Sequence, residues 1–207
     1  MSAYVITGTD TDVGKTIFAA MLTLALDGAY WKPLQSGVAE GVDTRTVQRL
    51  TGLPDDRFLP EKYVFTEALS PHRAAEIDRV VVDIDAIEMP KTDRTLIIEG
   101  AGGLMVPLTR DSLQINMFKR WDVPVILCAR TGLGTINHTL LSLEALWARN
   151  MKVHGIALIG DENRDNMKTI AEFSKTKVLG RLPMLPEFNA TSLQKAFEEN
   201  FKREDFA

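Results

Sequence analysis

A stretch near the start of the chain reads Gly8-Thr9-Asp10-Thr11-Asp12-Val13-Gly14-Lys15-Thr16, and it decides the fold class. It follows a predicted strand, Ala3 to Thr7, and opens a predicted helix, Lys15 to Leu26, which is the context of a phosphate-binding P-loop. In such a loop the backbone N–H groups and the N-terminal end of the helix face phosphate oxygens. The stretch therefore predicts a site for a nucleoside triphosphate.

The stretch departs in one place from the general P-loop pattern, which has two glycines with four residues between them. Thr9 stands where the first glycine is expected, and Gly8 comes one place earlier. A glycine turn that only joins a strand to a helix is the alternative interpretation. Gly14, Lys15 and Thr16 keep their places, so the lysine for the terminal phosphates and the hydroxyl for Mg²⁺ are both present. These three residues favour phosphate binding.

Length and composition are those of one globular domain, predicted to span residues 1–207. The formal net charge of -4 leaves no basic excess for a nucleic-acid partner. The single cysteine, Cys128, lies in an apolar run and is predicted to be a buried strand residue rather than a nucleophile. No signal-peptide pattern and no apolar run of about 18 residues is present. We therefore expect a cytoplasmic protein with no membrane partner.

Short β-branched runs alternate with segments of helical spacing. This pattern predicts an α/β fold of the P-loop NTPase type, with helices on both faces of a mainly parallel sheet. The predicted strands are Ala3 to Thr7, Ala29 to Lys32, Arg94 to Glu99, Pro124 to Ala129, Val153 to Ile159 and Val178 to Leu182. A further helix is predicted from Ile136 to Asn150 by an apolar stripe that we expect in the core: Ile136, Leu140, Leu143, Leu146 and Trp147. Loops with one or two helices are predicted for residues 54–90.

Three charged residues are candidates for phosphate and metal binding. Lys32 ends the second predicted strand and Glu99 ends the third, and parallel strands open onto one crevice at their carboxyl ends. Lys32 can then face a γ-phosphate, and Glu99 can bind Mg²⁺. Asp43, early in a helical segment that starts near Val42, is a second metal candidate. The alternatives are a surface lysine, a helix cap at Glu99 and a helix N-cap at Asp43.

Five blocks of sequence together resemble the dethiobiotin synthetase family, in the right order and over most of the chain. The blocks are Gly8 to Thr16, Lys32-Pro33-Leu34-Gln35-Ser36-Gly37, Ser70-Pro71-His72, Glu99-Gly100-Ala101-Gly102-Gly103 and Leu133-Gly134-Thr135-Ile136-Asn137-His138. The resemblance implies an enzyme of biotin synthesis that uses Mg²⁺ and ATP. Its substrates would be CO₂ and 7,8-diaminononanoate (7,8-diaminopelargonic acid), and its products dethiobiotin, ADP and phosphate, by way of a carbamate and a carbamic-phosphoric anhydride.

The resemblance also implies roles for individual residues. The catalytic residues would be Lys15, Lys32, Thr11 and Ser36. Mg²⁺ would be held by Thr16, Asp43 and Glu99. ATP would be contacted by Asp12, Val13, Gly14, Lys15, Thr16, Ile17, Gly160, Leu182, Pro183 and Leu185. The diamine would be contacted by Thr11, Lys32, Ser36, Gly102, Gly134, Thr135, Ile136 and Asn137.

Two positions depart from the family pattern. Asp12 stands where many members have Glu, and the strand that ends at Gly160 lacks the Asn with which many members read adenine. Backbone groups of Gly160 and of the segment Gly180 to Leu185 would then read the base. We therefore predict only modest discrimination between nucleotides.

The loop from Thr131 to Asn137 joins a strand end to a helix and forms a second potential anion site. From the residues alone, a loop that only turns the chain is the alternative. The resemblance implies a homodimer in which this loop belongs to the neighbouring subunit's half of the site and binds the carboxylate of the diamine substrate.

Three other functions compete with this interpretation. Regulatory P-loop ATPases of the partitioning or nitrogenase-iron-protein type carry an extra lysine early in the loop, and residues 9–12 contain none. Amidotransferases that act on corrinoid precursors need a glutaminase with a nucleophilic cysteine. Cys128 is the only cysteine of this sequence, and it is predicted to be buried in a strand. A small-molecule kinase would be distinguished by a stable phosphate ester as its product.

Overall fold

The computed structural model describes residues 2–206. Its strands are β1 Ala3–Gly8, β2 Ala29–Trp31, β3 Leu34–Ser36, β4 Phe58–Leu59, β5 Tyr63–Phe65, β6 Leu96–Gly103, β7 Val125–Arg130, β8 Val153–Ile159 and β9 Val178–Leu182. Its α-helices are α1 Lys15–Ala25, α2 Asp43–Thr51, α3 Pro71–Ile77, α4 Gln114–Trp121, α5 Thr135–Trp147, α6 Arg164–Ser174 and α7 Ala190–Asn200. Short 3₁₀ turns lie at Val38–Glu40, Asp55–Arg57 and Arg203–Phe206.

Seven strands form one parallel sheet in the order β4-β2-β6-β1-β7-β8-β9. The central strand, β1, lies between β6 and β7, so the loop that follows it opens in the middle of the carboxyl edge of the sheet. β3 and β5 pair with each other in a separate two-stranded parallel sheet. The predicted α/β architecture is confirmed.

The helices cover both faces of the sheet because neighbouring strand residues point to opposite sides. Tyr30 and Ile97 pack with apolar residues of α1, α2 and α7 on one face. Trp31 and Ile98, the next residue in each strand, pack with apolar residues of α3, α4, α5 and α6 on the other face. Cys128 is fully buried on the α1 side, as predicted.

The predicted strand from Arg94 to Glu99 is displaced in the structure. It begins at Leu96 and continues through the glycines to Gly103, so Glu99 lies inside the strand and does not end it. Gly103 pairs with Gly8 of β1, and a Cβ built at Gly100 would lie 2.7 Å from the Phe118 ring. Close approach to neighbouring backbone and side chains keeps this glycine-rich segment extended, against its low strand propensity.

Two other expectations need correction. Trp147 is 40% exposed and does not belong to the core, whereas Leu143 and Leu146 of the same stripe are fully buried. Trp147 is the last residue of α5 and lies seven residues after Leu140, on the edge of the stripe where side chains are only partly buried. Residues 54–90 contain one helix, α3, but also β4 and β5, whose two and three residues are too short to show a periodic pattern. Within residues 2–206, no helix is long and apolar enough to cross a membrane.

Candidate active site

A cavity of about 340 Å³ lies at the carboxyl ends of β1, β2 and β6. Its lining consists of Thr11, Asp12, Gly14, Lys15, Thr16, Ile17, Lys32, Asp43, Glu99 and Gly102. Each of these was predicted to contact nucleotide, metal or substrate. The structure therefore brings together three segments that are far apart in the sequence: the P-loop, the end of β2 with the start of α2, and the glycine-rich part of β6.

The P-loop has the backbone conformation of an anion site. Gly14 has φ 92° and precedes α1, and a Cβ there would lie 2.9 Å from the side chain of Ile159. No side chain caps α1 and no acidic residue lies in its first turn, so its first N–H groups are not used by side chains. Lys15 is buried, and its Nζ donates to the carbonyl of Asp10 at 2.9 Å. Burial lowers the pKa of Lys15, and the charge of Glu99 opposes that effect.

Glu99 is the centre of a buried polar network and is 1% exposed. Its Oε1 accepts a hydrogen bond from the Thr16 hydroxyl at 2.8 Å, and Lys32 Nζ lies 3.4 Å from the same oxygen. Its Oε2 accepts from the hydroxyl of Tyr30 at 2.8 Å. Burial, followed by the charges of Glu99 and Asp43, raises the pKa of Tyr30 well above its ordinary value, so the phenol is a hydrogen-bond donor here.

Lys32 lies just beyond β2 and is paired with two carboxylates, Asp43 and Glu99. Asp43 is the first residue of α2, and its N–H donates to Oε1 of Gln35 at 3.1 Å. Burial alone would lower the pKa of Lys32, but Glu99 and Asp43 together hold it above its ordinary value. The lysine is therefore a charged, buried group inside the cavity rather than a surface residue.

The oxygen atoms of Thr16, Asp43 and Glu99 are the hard donors that Mg²⁺ prefers. The two carboxylates already share one cation, the ammonium of Lys32, which shows that the site favours positive charge. Among residues 2–206, no three His, Cys, Asp or Glu side chains form a metal-binding group by themselves. The donor set fits a divalent ion that takes its remaining ligands from nucleotide phosphates and water.

Ser36 and the residues predicted to hold the base lie outside the lining of this cavity. Ser36 ends β3, and its hydroxyl is buried without a hydrogen-bond partner among the described residues. The Gly160 N–H donates to the carbonyl of Leu182 at 3.0 Å, and the Gly160 carbonyl accepts from Arg181 at 2.8 Å. Its backbone groups are thus already engaged, while Pro183 and Leu185 follow the end of β9. Val13 is packed in the core.

The loop from Thr131 to Asn137 is also separate from the P-loop cavity of its own chain. Gly134, with φ 91°, precedes α5, and Asn137 is exposed in the first turn of that helix. The Thr135 side chain is buried, and its hydroxyl donates to the carbonyl of Arg130. Leu133 has its whole side chain in solvent, with a relative exposure of 108%.

Three contacts of the site were not predicted. Arg130, at the end of β7, donates from Nη2 to the carbonyl of Thr11 at 2.9 Å and so ties the P-loop to a neighbouring strand. Its place at a strand end beside a glycine loop was a usable signal. Tyr30 and Gln35 gave no such signal, because each lies in a three-residue strand whose pairing the sequence does not show.

Comparison with known proteins shows which family the chain resembles. The family model described as AAA domain matches residues 2–192. The chain is 55% identical over 204 residues to an ATP-dependent dethiobiotin synthetase BioD of Bradyrhizobium sp., covering 98% of this chain and 97% of that protein. It is 51% identical over 207 residues to the protein of the same name in Novosphingobium aromaticivorans, covering 100% of both.

Solved structures show the same fold at low identity. The cell division ATPase MinD of Pyrococcus furiosus superposes with a TM-score of 0.56 at 13% identity, covering 96% of this chain and 98% of that one. A ParA family ATPase of Chlorobium tepidum gives a TM-score of 0.54 at 13% identity, covering 96% and 91%. These two likenesses concern the fold alone. The P-loop, Lys15, Lys32 and Glu99 lie in one cavity. The sequence identity over the whole length shows that the chain belongs to the ATP-dependent dethiobiotin synthetase family.

Proposed function

We propose that the P-loop cavity joins CO₂ to 7,8-diaminononanoate at the expense of ATP. Family membership makes the overall activity the ATP-dependent, dethiobiotin-forming step of biotin biosynthesis. The observation that carries the residue assignment is the convergence of Lys15, Lys32, Thr16 and Glu99 on one small cavity. Two buried ammonium groups beside a helix N-terminus suit a reaction in which negative charge moves between oxygens.

The proposed chemistry needs three steps. One amine of the diamine adds to CO₂ and loses a proton, giving a carbamate. A carbamate oxygen then attacks the γ-phosphorus of ATP, which releases ADP and leaves a carbamic-phosphoric anhydride. The second amine attacks the carbonyl carbon and loses a proton, phosphate departs with the electrons of the broken C–O bond, and the ureido ring closes. None of these steps requires a nucleophilic side chain, and burial raises the pKa of the Cys128 thiol, which keeps it unreactive.

Positioning and charge neutralisation are what the protein contributes to such a reaction. Lys15 would contact the terminal phosphates once its Nζ leaves the Asp10 carbonyl, and Lys32 would neutralise the carbamate and the transferring group. Thr11, which lines the cavity beside Gly102, would hydrogen-bond the carbamate. Ser36 is the fourth proposed member, and its unpartnered hydroxyl is free to bond a ligand after a small movement of its loop.

Thr16, Asp43 and Glu99 are the residues that would hold Mg²⁺. The ion would supply charge neutralisation to the β- and γ-phosphate oxygens of ATP. The Thr16 hydroxyl and Glu99 Oε1 are in contact, so both donors face one point of the cavity. Lys32 would have to release these carboxylates in part, and that release would free its ammonium for the substrate.

The site is proposed to be completed by a second copy of the chain. The helix N-terminus at Gly134 to Asn137 lies apart from the P-loop cavity of its own subunit, yet its geometry suits an anion. The carboxylate of the diamine is such an anion, at the far end of an aliphatic chain. Leu133 beside it is fully exposed, and a C₂ interface would cover its side chain.

The deciding experiment measures phosphate release from ATP with the purified protein. We expect release only when the diamine and bicarbonate are both present, with dethiobiotin formed in equal amount. Formation of ADP that needs the diamine but not bicarbonate, with the phosphoryl group kept on the diamine and no phosphate released, would support a small-molecule kinase instead.

A further inference from the structure

Tyr30 lies in the interior of β2 with no exposed surface. It pairs across the sheet with Ile97, and Ile97 lies two residues before Glu99 on β6. Residues two apart in a strand point to the same face, so Tyr30 and Glu99 are diagonal neighbours on the α1 side of the sheet. This register brings the Tyr30 hydroxyl to 2.8 Å from Glu99 Oε2.

The two oxygens of Glu99 consequently have different surroundings. Oε1 contacts the groups of the cavity, Thr16 at 2.8 Å and Lys32 at 3.4 Å. Oε2 has Tyr30 as its hydrogen-bond partner and is turned toward the interior of the sheet. A carboxylate held only at one oxygen could turn about its last side-chain torsion, which has a broad and roughly two-fold profile.

We propose that Tyr30 is a positioning residue that anchors Oε2 of Glu99, so that Oε1 stays directed at Thr16 and at the divalent ion. The inference rests on the proposed role of Glu99 as a ligand of Mg²⁺. It assigns a function to a residue that does not line the cavity. Partners of this kind, which hold a metal ligand in place, typically change metal affinity by about 10- to 100-fold when they are removed.

A purely structural role for Tyr30 is the competing explanation. Its ring packs with apolar residues such as Ile97 and Leu50, and a phenylalanine would fill the same space. In that case the hydroxyl would only satisfy a buried carboxylate, and its loss would lower the stability of the protein without changing the affinity for a divalent ion. The two explanations therefore differ in a measurable quantity.

The test compares Tyr30→Phe with wild type by the binding of Mn²⁺ to the enzyme–ADP complex, followed by electron paramagnetic resonance. We expect the Kd for Mn²⁺ to rise about tenfold in Tyr30→Phe. Tyr63→Phe is the matched control, because the Tyr63 hydroxyl also has a hydrogen bond, from the Asp83 N–H at 3.0 Å, but does not line the cavity. Its Kd for Mn²⁺ should equal that of wild type.

A double variant tests whether Tyr30 acts through Glu99. In a Glu99→Gln background, the further change Tyr30→Phe should leave the Kd for Mn²⁺ nearly unchanged, because the group that it positions has been altered. An unchanged Kd in the single variant Tyr30→Phe, together with a lowered melting temperature, would overturn the proposal. Fully additive effects of Tyr30→Phe and Glu99→Gln on the Kd for Mn²⁺ would also overturn the proposal.

A second measurement does not depend on the folding of Tyr30→Phe. Wild type labelled with 3-fluorotyrosine carries three probes, at Tyr4, Tyr30 and Tyr63. Addition of Mg²⁺ to the ADP complex should shift the ¹⁹F resonance of Tyr30 alone, and a Tyr30 resonance that does not move would count against the proposal. Wild-type dethiobiotin formation, measured separately, distinguishes a failure of this inference from a failure of the proposed function.

Discussion

The hydroxyl of Thr16 donates a 2.8 Å hydrogen bond to Oε1 of Glu99, across 83 positions of sequence. Thr16 belongs to the first turn of α1, and Glu99 lies within β6, the strand next to β1. The contact joins the phosphate loop to the acidic wall of the cavity. Two of the three groups proposed to hold a metal ion are therefore in contact with each other.

Glu99→Gln should raise the Mg²⁺ concentration needed for half-maximal activity by about tenfold or more. The amide keeps the shape of the side chain and an oxygen for the Thr16 hydroxyl, but it removes the negative charge that an oxygen-ligated divalent ion favours. The measurement is turnover against Mg²⁺ concentration at saturating ATP. Glu76→Gln is the control, because Glu76 is an ion-paired surface carboxylate outside the cavity. An unchanged magnesium dependence would make Glu99 a structural acid.

Lys15→Ala and Lys32→Ala should each lower turnover by at least about 10²-fold, because each removes a preorganised positive charge from the phosphoryl-transfer site. Lys152→Ala, which removes a surface lysine paired with Asp122, should have no effect on turnover. Near-normal turnover in a folded Lys32→Ala protein would exclude Lys32 from the catalytic machinery.

The two lysine variants should differ in stability. Lys32 lies between Asp43 and the buried Glu99, so its removal leaves an uncompensated buried charge, a change that typically costs about 3–5 kcal/mol. Lys15 contacts a backbone carbonyl instead, and its loss should cost less. Thermal melts followed by circular dichroism measure this difference, and they set the temperature at which the turnover of each variant can be compared.

The parts of the site that were predictable are those encoded by contiguous residues or by a general rule of parallel sheets. Gly14, Lys15 and Thr16 form one local motif, and the rule that parallel strands open onto one crevice brought Lys32 and Glu99 to it. The contact of Tyr30 with Glu99 depends on strand register, and the contact of Arg130 with Thr11 on the packing of β7 beside β1. The contact of Tyr30 leaves no trace in local sequence, whereas Arg130 could have been found from its place at a strand end beside a glycine loop.

The strands of the fold also divide into those that were predictable from the sequence and those that were not. Longer strands such as Val153–Ile159 were predicted with their observed bounds, since a run of that length shows its apolar character. β3, β4 and β5 have only two or three residues each and are stabilised by their partners. The strand of Glu99 was predicted to end at that residue, yet pairing of β6 with β1 keeps the following glycines extended, although glycine disfavours strands.

Nucleotide discrimination should be modest, with ATP favoured over GTP or CTP by less than about 10³-fold in kcat/KM, the scale reached when dedicated polar groups select a ligand. Gly160 directly follows β8, where the family resemblance implies an Asn that reads adenine, and the Gly160 N–H is occupied by the Leu182 carbonyl. Steady-state kinetics with the three nucleotides measure the ratio. A larger preference for ATP would point to polar base contacts elsewhere in the chain.

A mixture of Lys15→Ala and Asn137→Ala subunits should recover activity that neither variant has alone. If each site combines the P-loop of one subunit with the Gly134 to Asn137 loop of its partner, one of the two sites in a mixed dimer contains both substitutions and the other contains none. Random exchange of equal amounts makes half of the dimers mixed, so about a quarter of wild-type activity should return. Turnover measured before and after exchange gives this fraction.

The matched control for this experiment is a mixture of Lys15→Ala with Lys32→Ala. Both residues line the same P-loop cavity, so in a mixed dimer each of the two sites keeps one substitution and no activity should return. Subunit exchange is verified by pulling down one variant through an affinity tag and detecting the other by mass spectrometry. Recovery in the mixture of Lys15→Ala with Asn137→Ala, but not in the control mixture, would show that the Gly134 to Asn137 loop acts across the interface. No recovery in either mixture after verified exchange, or a monomer by light scattering at the working concentration, would rule out a shared site and return the loop to a turn that only connects β7 to α5.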